Sequence, residues 1–113
     1  MMRQSTIDAL EGSIAKWEAI VLGRGVDKGQ DNCPLCQRFI AGNCRSCPVQ
    51  KKTRARFCNN TPYRHWKTIA WVQDNDGSLG VRGRGFGPLV NAYALANALE
   101  MLDLLISLRE PRK

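Results

Sequence analysis

The chain has 113 residues, of which 43% are hydrophobic and 24% charged, a composition that suits one globular domain with a modest core. Neither a transmembrane segment nor a secretory signal is visible, because every apolar stretch is too short or interrupted by polar residues. We therefore expect a cytoplasmic protein that does not enter a membrane. In that reducing compartment the five cysteines favour metal binding over structural disulfides.

The net charge of +7 is concentrated in the middle of the chain. Residues 1–32 and 69–113 are nearly neutral, whereas residues 33–68 hold eight Lys/Arg side chains and no acid. These eight cations are Arg38, Arg45, Lys51, Lys52, Arg54, Arg56, Arg64 and Lys67. Such a local excess of positive charge predicts a polyanion or an acidic protein surface as the partner.

A first helix is predicted over about residues 6–22, and Gly23 is suited to end it. Its apolar side chains recur at spacings of three and four residues, which is the pattern of one helical stripe. The stripe consists of Ile7, Leu10, Ile14, Trp17 and Val21. A polar connection then leads into the cysteine segment, predicted to form a metal knuckle over about residues 31–60.

The second half of the chain predicts two further helices. One spans about residues 62–73, with Thr61 as a cap and Pro62 at the first position. Residues 74–87 form a predicted linker, because five glycines between positions 77 and 87 disfavour regular structure. The other helix spans about residues 88–109. We thus expect a mainly α protein, a single domain of residues 1–113 with three helices and a metal knuckle between the first two.

The last predicted helix is apolar over an unusually wide surface. One seam contains Ala92, Leu95, Leu99, Leu102 and Ile106. A second set contains Ala94, Ala98, Met101, Leu105 and Leu108, and the polar strip is formed by Asn97, Glu100, Asp103 and Ser107. Because the polar strip is so narrow, we expect this helix to pack against more than one other secondary-structure element. Packing within a small bundle is the first interpretation, and a homodimer along this helix is the alternative.

The cysteine spacing predicts a metal site. Cys33 and Cys36 form one Cys-x-x-Cys pair, Cys44 and Cys47 form a second, and seven residues separate the pairs. Two such pairs can supply a tetrahedron of thiolates, which is the geometry of structural Zn²⁺ sites. Cys58 is the fifth thiol and an alternative ligand in place of one of the four.

Two other cysteine chemistries stay open. An iron–sulfur cluster is the alternative cofactor, since Cys47-Pro48 resembles the Cys-Pro ending of ferredoxin motifs, although their compact run of cysteines is missing. Thiol–disulfide chemistry at Cys33 and Cys36 is less favoured because a glycine-rich loop, rather than a strand, precedes them. With one histidine and no acid among residues 33–68, no catalytic constellation is visible. We therefore expect a protein that is not an enzyme.

Four segments, "IAKWEAIVLG", "DNCPLCQRF", "CRSCPV" and "FCNNTPYRHW", resemble a group of uncharacterised small cysteine-rich proteins of phages and prophages. The shared pattern is a KWxxI helix, two Cys-x-x-Cys pairs, a CPV turn and a C-x-x-TPY-x-x-W segment, and it covers about residues 10–70. The chain departs from it at Asn60, where glycine is common, and at Arg64 and His65, where acids are common. The resemblance implies a phage origin, a location in the host cytosol and a role against host machinery.

Together these features predict a small, zinc-stabilised, basic binding module that contacts nucleic acid through its eight cations. A protein-binding inhibitor or adaptor acting on a host defence or regulatory complex is the alternative. An iron–sulfur or redox protein is the second alternative.

Overall fold

A computed structural model of the protein describes residues 3–39, 47–54, 61–72, 77–82 and 89–109. Within these ranges the chain is mainly helical, as predicted. The helices are α1 (Gln4–Val21), α2 (Pro34–Phe39), α3 (Pro48–Thr53), α4 (Tyr63–Ile69) and α5 (Ala92–Ser107). The strands β1 (Trp71–Val72) and β2 (Leu79–Gly80) pair in an antiparallel sheet. The short helices α2 and α3 lie where the metal knuckle is predicted, so the three-helix description needs correction.

The apolar stripe of α1 forms the centre of the core. Three of its predicted members, Leu10, Ile14 and Trp17, are almost fully buried, and so is Ile20, which the prediction left out. The other two, Ile7 and Val21, are half-buried. Burial of each leucine or isoleucine side chain contributes about 1.5–3 kcal/mol. The helix ends next to Gly23, whose φ of 75° lies in the left-handed region that glycine tolerates without strain. The predicted first helix is thereby confirmed, with bounds two residues earlier at its start and one at its end.

The segment after α4 differs from its prediction. The helix ends at Ile69 rather than near residue 73, because the backbone becomes extended at Ala70 and continues into β1. Part of the predicted linker is also regular, since Leu79 pairs with Val72 in the sheet. Local glycine content disfavours a strand here, but a partner strand supplies the hydrogen bonds that stabilise it.

The last helix begins later than predicted. Its first residue is Ala92 rather than residue 88, and the side chain of Asn91 accepts a hydrogen bond from the N–H of Ala94, which caps the helix there. The buried face of α5 contains Ala94, Asn97, Ala98, Met101 and Leu105. Asn97 is therefore wrongly placed in the predicted polar strip, because tertiary packing buries its side of the helix.

A buried carboxylate links three parts of the fold. Asp27 has a side chain that is 1% exposed, and it lies 2.8 Å from the Lys16 ammonium of α1. Its Oδ1 also accepts from the N–H of Gly29 at 2.9 Å, while Oδ2 accepts from Tyr63 Oη at 2.9 Å and Trp66 Nε1 at 3.0 Å. Four donors thus satisfy a charge that would otherwise be costly to bury.

The backbone and the aromatic neighbours of Asp27 complete this junction. Asp27 exchanges two backbone hydrogen bonds with Leu79, of 2.7 and 3.0 Å, which tie it to β2. The ring of Trp17 meets those of Trp66 and Tyr63 edge to face, with centroids 5.1 and 6.0 Å away. Edge-to-face contacts add to the free energy gained from burial. Asp27 therefore fixes how α1, α4 and β2 are placed relative to one another.

Replacing Asp27 with Asn tests this junction. Asp27→Asn retains the shape of the side chain but leaves Lys16 buried without its counter-ion, and it directs an amide N–H₂ towards hydrogen-bond donors. We expect the free energy of unfolding to fall by about 3–5 kcal/mol. Urea denaturation followed by tryptophan fluorescence measures this change.

Glu11→Gln is the matched control. It removes an exposed ion pair with Arg109, in which the two side chains are 46% and 48% exposed. Such a pair contributes no more than about 1 kcal/mol. Similar losses for Asp27→Asn and Glu11→Gln would contradict the central role of Asp27.

Candidate metal and polyanion site

The first cysteine pair lies at the start of a helix. Cys33 directly precedes α2, Pro34 occupies the first helical position, and Cys36 follows in the first turn. The N–H of Cys36 donates to Cys33 Sγ at 3.3 Å. Residues three apart on a helix share a face, so the two-residue gap brings both thiols to one side of the chain. A helical turn, rather than an isolated knuckle, positions this pair.

Helix α1 holds the pair in place. Ser13 is buried; its Oγ accepts from the N–H of Leu35 at 3.3 Å and lies 4.0 Å from Cys33 Sγ. One residue earlier, a Cβ added to Gly12 would lie 2.9 Å from Pro34 Cγ. The absence of a side chain at this position thus permits the close contact between α1 and α2. The serine and glycine of α1 together determine where Cys33 sits.

The surroundings of Cys33 stabilise its thiolate. The hydrogen bond with the Cys36 side chain is the main cause, and it lowers the pKa of Cys33 from 9.0 to about 6. Burial of the thiol opposes this shift, while the Cys36 N–H, the Lys16 charge and the Ser13 hydroxyl reinforce it. The thiolate is the form that binds metal and that acts as a nucleophile. The surroundings of Cys33 therefore favour the form that binds metal.

The second cysteine pair is described in part. Cys47 is buried at the start of α3, directly before Pro48, and it belongs to the same core cluster as Leu35 and Val49. Cys44 and Cys58 lie outside the described residues. Within the ranges that the structure describes, no three His, Cys, Asp or Glu side chains are close enough to share a metal ion. The predicted four-sulfur site, which needs Cys44 or Cys58, stays a prediction.

Five of the eight predicted cations fall into two groups. The α3 cations, which we define as Lys51, Lys52 and Arg54, are all exposed and lie within four residues of chain. Lys52 Nζ donates to Ser107 Oγ at 2.6 Å, so this group adjoins the C-terminal end of α5. Arg54 ends α3 in the left-handed region, with a φ of 59°.

The second group lies at the other end of α5. The α4 cations, Arg64 and Lys67, are exposed, and the C-terminal end of α4 is tied to the N-terminal end of α5 because Asn91 Nδ2 donates to the carbonyl of Ile69 at 2.7 Å. A helix of 16 residues is about 24 Å long. The α3 cations therefore adjoin the C-terminal end of α5, whereas α4 is tied to its N-terminal end.

The remaining predicted cations have other surroundings. Arg38 donates to Thr6 Oγ1 at 3.2 Å and lies over the ring of Phe39, which ties this side chain to α1 and α2. Of the α4 cations, Lys67 also lies over an aromatic ring, that of Tyr63, 5.5 Å from its centroid. Arg45 and Arg56 lie outside the described residues. The α3 cations thus form the densest group of positive charge that the structure describes.

Sequence reasoning missed Asp27. Asp27 is one of the residues that line an open pocket of about 270 Å³, together with Lys28, Asp31, Tyr63, Lys67 and Ser78. Asp27 stands in a glycine-rich connection that shows no periodicity, so no local signal distinguishes it from a solvated loop residue. Its role depends on donors from Tyr63 and Trp66, more than 35 residues further along the chain.

Comparison with known proteins adds no identification. No protein-family model, curated protein or solved structure matches the chain. The resemblance to phage and prophage proteins stays a prediction from the motifs. Among the described residues, no helix is both long and apolar enough to cross a membrane.

The lowered pKa of Cys33 can be tested in metal-free, reduced protein. We expect alkylation of Cys33 by iodoacetamide to show a pH midpoint near 6. Cys36→Ala removes the main stabilising hydrogen bond and raises this midpoint, whereas Ser13→Ala, which removes a weaker contribution, raises it less. Peptide mass spectrometry across pH reads out each site.

The same shift has a consequence for stability. A thiol whose pKa is lowered by folding stabilises the native state at pH above its unfolded pKa. This stabilisation is lost as the pH falls from about 9 towards 6.

In the alkylation experiment, an unchanged pH midpoint of Cys33 in the Cys36→Ala variant would contradict the assignment of the Cys36 side chain as the main cause of the lowered pKa.

Proposed function

We propose that this protein is a small zinc-stabilised binding module, of phage or prophage type, that contacts nucleic acid in the cytosol of a host cell. The observation that carries the proposal is that one segment contains both a stabilised Cys33 thiolate and the exposed cations of α3. Helix α3 begins directly after Cys47, a second candidate ligand. In this proposal the chain binds its partner and performs no catalysis.

The thiolate environment supports the metal. Zn²⁺ binds deprotonated cysteine, and hydrogen bonds from the surrounding chain orient and stabilise such ligands. Cys33 already accepts the N–H of Cys36 and lies close to Ser13. Cys33, Cys36, Cys44 and Cys47 form the proposed ligand set, with Cys58 as a substitute ligand. An iron–sulfur cluster is the alternative occupant, because it uses the same kind of ligand.

The small core of the cysteine segment explains why a metal would be needed. Among the described residues between positions 33 and 54, Leu35, Cys47, Pro48 and Val49 are the buried ones. A core of this size contributes little stability, so the free energy of metal binding would be added directly to that of folding. The metal would thereby fix the start of α3 and the position of its cations.

The charge of α3 supports nucleic acid as the partner. Residues 47–54 carry three cations and no acid, and all three cations are exposed. Lysine and arginine side chains on such a surface release counter-ions when they neutralise phosphates, which drives binding without base contacts. Arg64 and Lys67 of α4, which are also exposed, supply further contacts to the same polyanion.

An acidic protein surface is the alternative partner, and one observation favours it. The exposed apolar side chains of Leu89, Val90 and Tyr93 lie near the end of α5 to which α4 is tied. Aromatic and arginine side chains are enriched in protein interfaces, and Arg64 of α4 is exposed. An inhibitor or adaptor of a host complex would use this end of the molecule.

Metal content tests the first part of the proposal. Native mass spectrometry with elemental analysis should give one Zn²⁺ for each chain, and iron with sulfide would show a cluster instead. The five cysteines are replaced with Ser one at a time. Substitution of any of the four ligands should abolish zinc binding, whereas substitution of the fifth cysteine should leave zinc binding unchanged. Ser13→Ala alters the surroundings of Cys33 without removing a ligand, and we expect it to retain the metal.

Removal of the metal has a predicted structural effect. Chelation of the reduced protein should lower its thermal stability and alter its far-ultraviolet circular dichroism, because the cysteine segment loses its main source of folding free energy. A reduced, metal-free protein with unchanged dichroism and stability would contradict the proposal.

Salt dependence tests the second part. The logarithm of the affinity for a random DNA duplex should fall linearly with the logarithm of salt concentration. Lys51→Ala combined with Arg54→Ala should reduce the slope by about 1 for each cation removed. The matched control combines Arg3→Ala with Arg24→Ala, which removes two exposed cations outside the cysteine segment.

The outcomes separate the two partners. An unchanged slope in the α3 double variant, or an equal change in the control, would place the contact elsewhere on the molecule. No binding to DNA or RNA at low salt would eliminate nucleic acid and leave the acidic protein surface as the partner.

A further inference from the structure

Cys33 and Cys36 combine two properties that favour a disulfide between them. A hydrogen bond joins their side chains, and the N–H of Cys36 also donates to Cys33 Sγ at 3.3 Å. The two sulfur atoms are therefore neighbours in the folded chain. Both residues are also partly exposed at the surface, so that a small oxidant in solution can reach the pair.

Exposure separates this pair from Cys47, the third cysteine in the part of the chain that the structure describes. Cys47 is only 7% exposed and belongs to the hydrophobic core cluster, so an oxidant meets the Cys33–Cys36 pair first. A disulfide within this pair closes a very short loop, which adds little stability to the fold. Exposed, weakly stabilised disulfides are the labile and regulatory ones. In a reducing cytosol, such a transient disulfide is typical of redox sensing.

The oxidant that suits this segment is glutathione disulfide. It is an anion at neutral pH, and residues 33–68 hold eight cations and no acid, which favours its approach. One cysteine thiolate of the pair attacks a sulfur of glutathione disulfide, which forms a mixed disulfide and releases one glutathione thiolate. The other cysteine loses its proton and attacks the protein sulfur of the mixed disulfide, which releases the second glutathione. The two cysteines thus lose two electrons and two protons, and glutathione disulfide is reduced to two molecules of glutathione.

We propose that Cys33 and Cys36 form a redox-sensing pair, which glutathione disulfide converts reversibly into an intramolecular disulfide. The effect on the metal rests on the proposed function, in which these sulfurs are two of the four zinc ligands. Because zinc binds the thiolate form of cysteine, oxidation releases the metal and reduction restores the site. Loss of the metal in turn removes folding free energy from the segment that carries the α3 cations.

Peptide mass spectrometry of the reduced full chain tests the pair. The tryptic peptide of residues 29–38 contains Cys33 and Cys36 and no other cysteine. The protein is equilibrated with mixtures of glutathione and glutathione disulfide, alkylated and digested. As the oxidised fraction rises, this peptide should lose two hydrogen atoms and resist alkylation before any other cysteine is modified, and dithiothreitol should reverse the change. A peptide that is alkylated in every mixture, or a disulfide from this peptide to another cysteine, would overturn the proposal.

Two variants identify the second exchange step. Cys36→Ser retains one thiol of the pair and should stop at the mixed disulfide with glutathione. Gln37→Ala is the matched control, because it changes an exposed neighbouring side chain and leaves both sulfurs in place; it should oxidise as the unmodified chain does. A Gln37→Ala protein that behaves like Cys36→Ser would show that the effect is not specific to the pair, which would contradict the proposal.

Zinc release, followed with a zinc-sensitive dye in the same mixtures, tests the link to the metal. Zinc should leave in parallel with the loss of hydrogen from the peptide of residues 29–38. Zinc that stays bound after this peptide is oxidised would overturn the link. A reduced protein that binds no zinc would instead contradict the proposed function, and the peptide measurement would still decide whether Cys33 and Cys36 form a redox-sensing pair.

Discussion

A single buried charge determines how the parts of this protein meet. Asp27 accepts hydrogen bonds from α1, from α4 and from the backbone that follows it, and its own backbone pairs with β2. In a medium of low dielectric constant each of these bonds is strong, and each missing donor is costly. The arrangement therefore tolerates little displacement of Trp66 or Lys16. A residue in a connecting loop thus positions α1, α4 and β2 relative to one another.

Periodicity predicted the parts of the fold that depend on one helix. The stripe of Leu10, Ile14 and Trp17 shows which face of α1 is buried, because the pattern within one helix is enough to define it. The same reasoning could not decide between the two faces of α5. Both are apolar, and the choice is made by residues of α1 and α4 that are distant in sequence. The early end of α4 has a similar origin, since the partner strand of Trp71 lies beyond the glycines.

Of the candidate site, the proximity of Cys33 and Cys36 could be predicted from the sequence. Cysteine spacing indicates that Cys33 and Cys36 act together, and the hydrogen bond between them agrees with that. Helices as short as α2 and α3 leave no periodic signal, and α2 is stabilised by contacts such as that between Gly12 and Pro34. The local charge excess was also visible in the sequence. The division of this positive charge into the α3 and α4 cations was not visible in the sequence. It depends on which end of α5 each short helix contacts.

The packing of α1 against α5 has a consequence for how the chain folds during synthesis. Residues of α5 leave the ribosome after α1 and after all five cysteines. At typical elongation rates of about 5–20 residues per second, the interval between Cys58 and Ser107 lasts about 2–10 seconds. During this time α1 lacks its most extensive packing partner. All five thiols are thus synthesised before the hydrophobic core closes around Cys47. In the proposed zinc protein, metal capture would precede the final folding step.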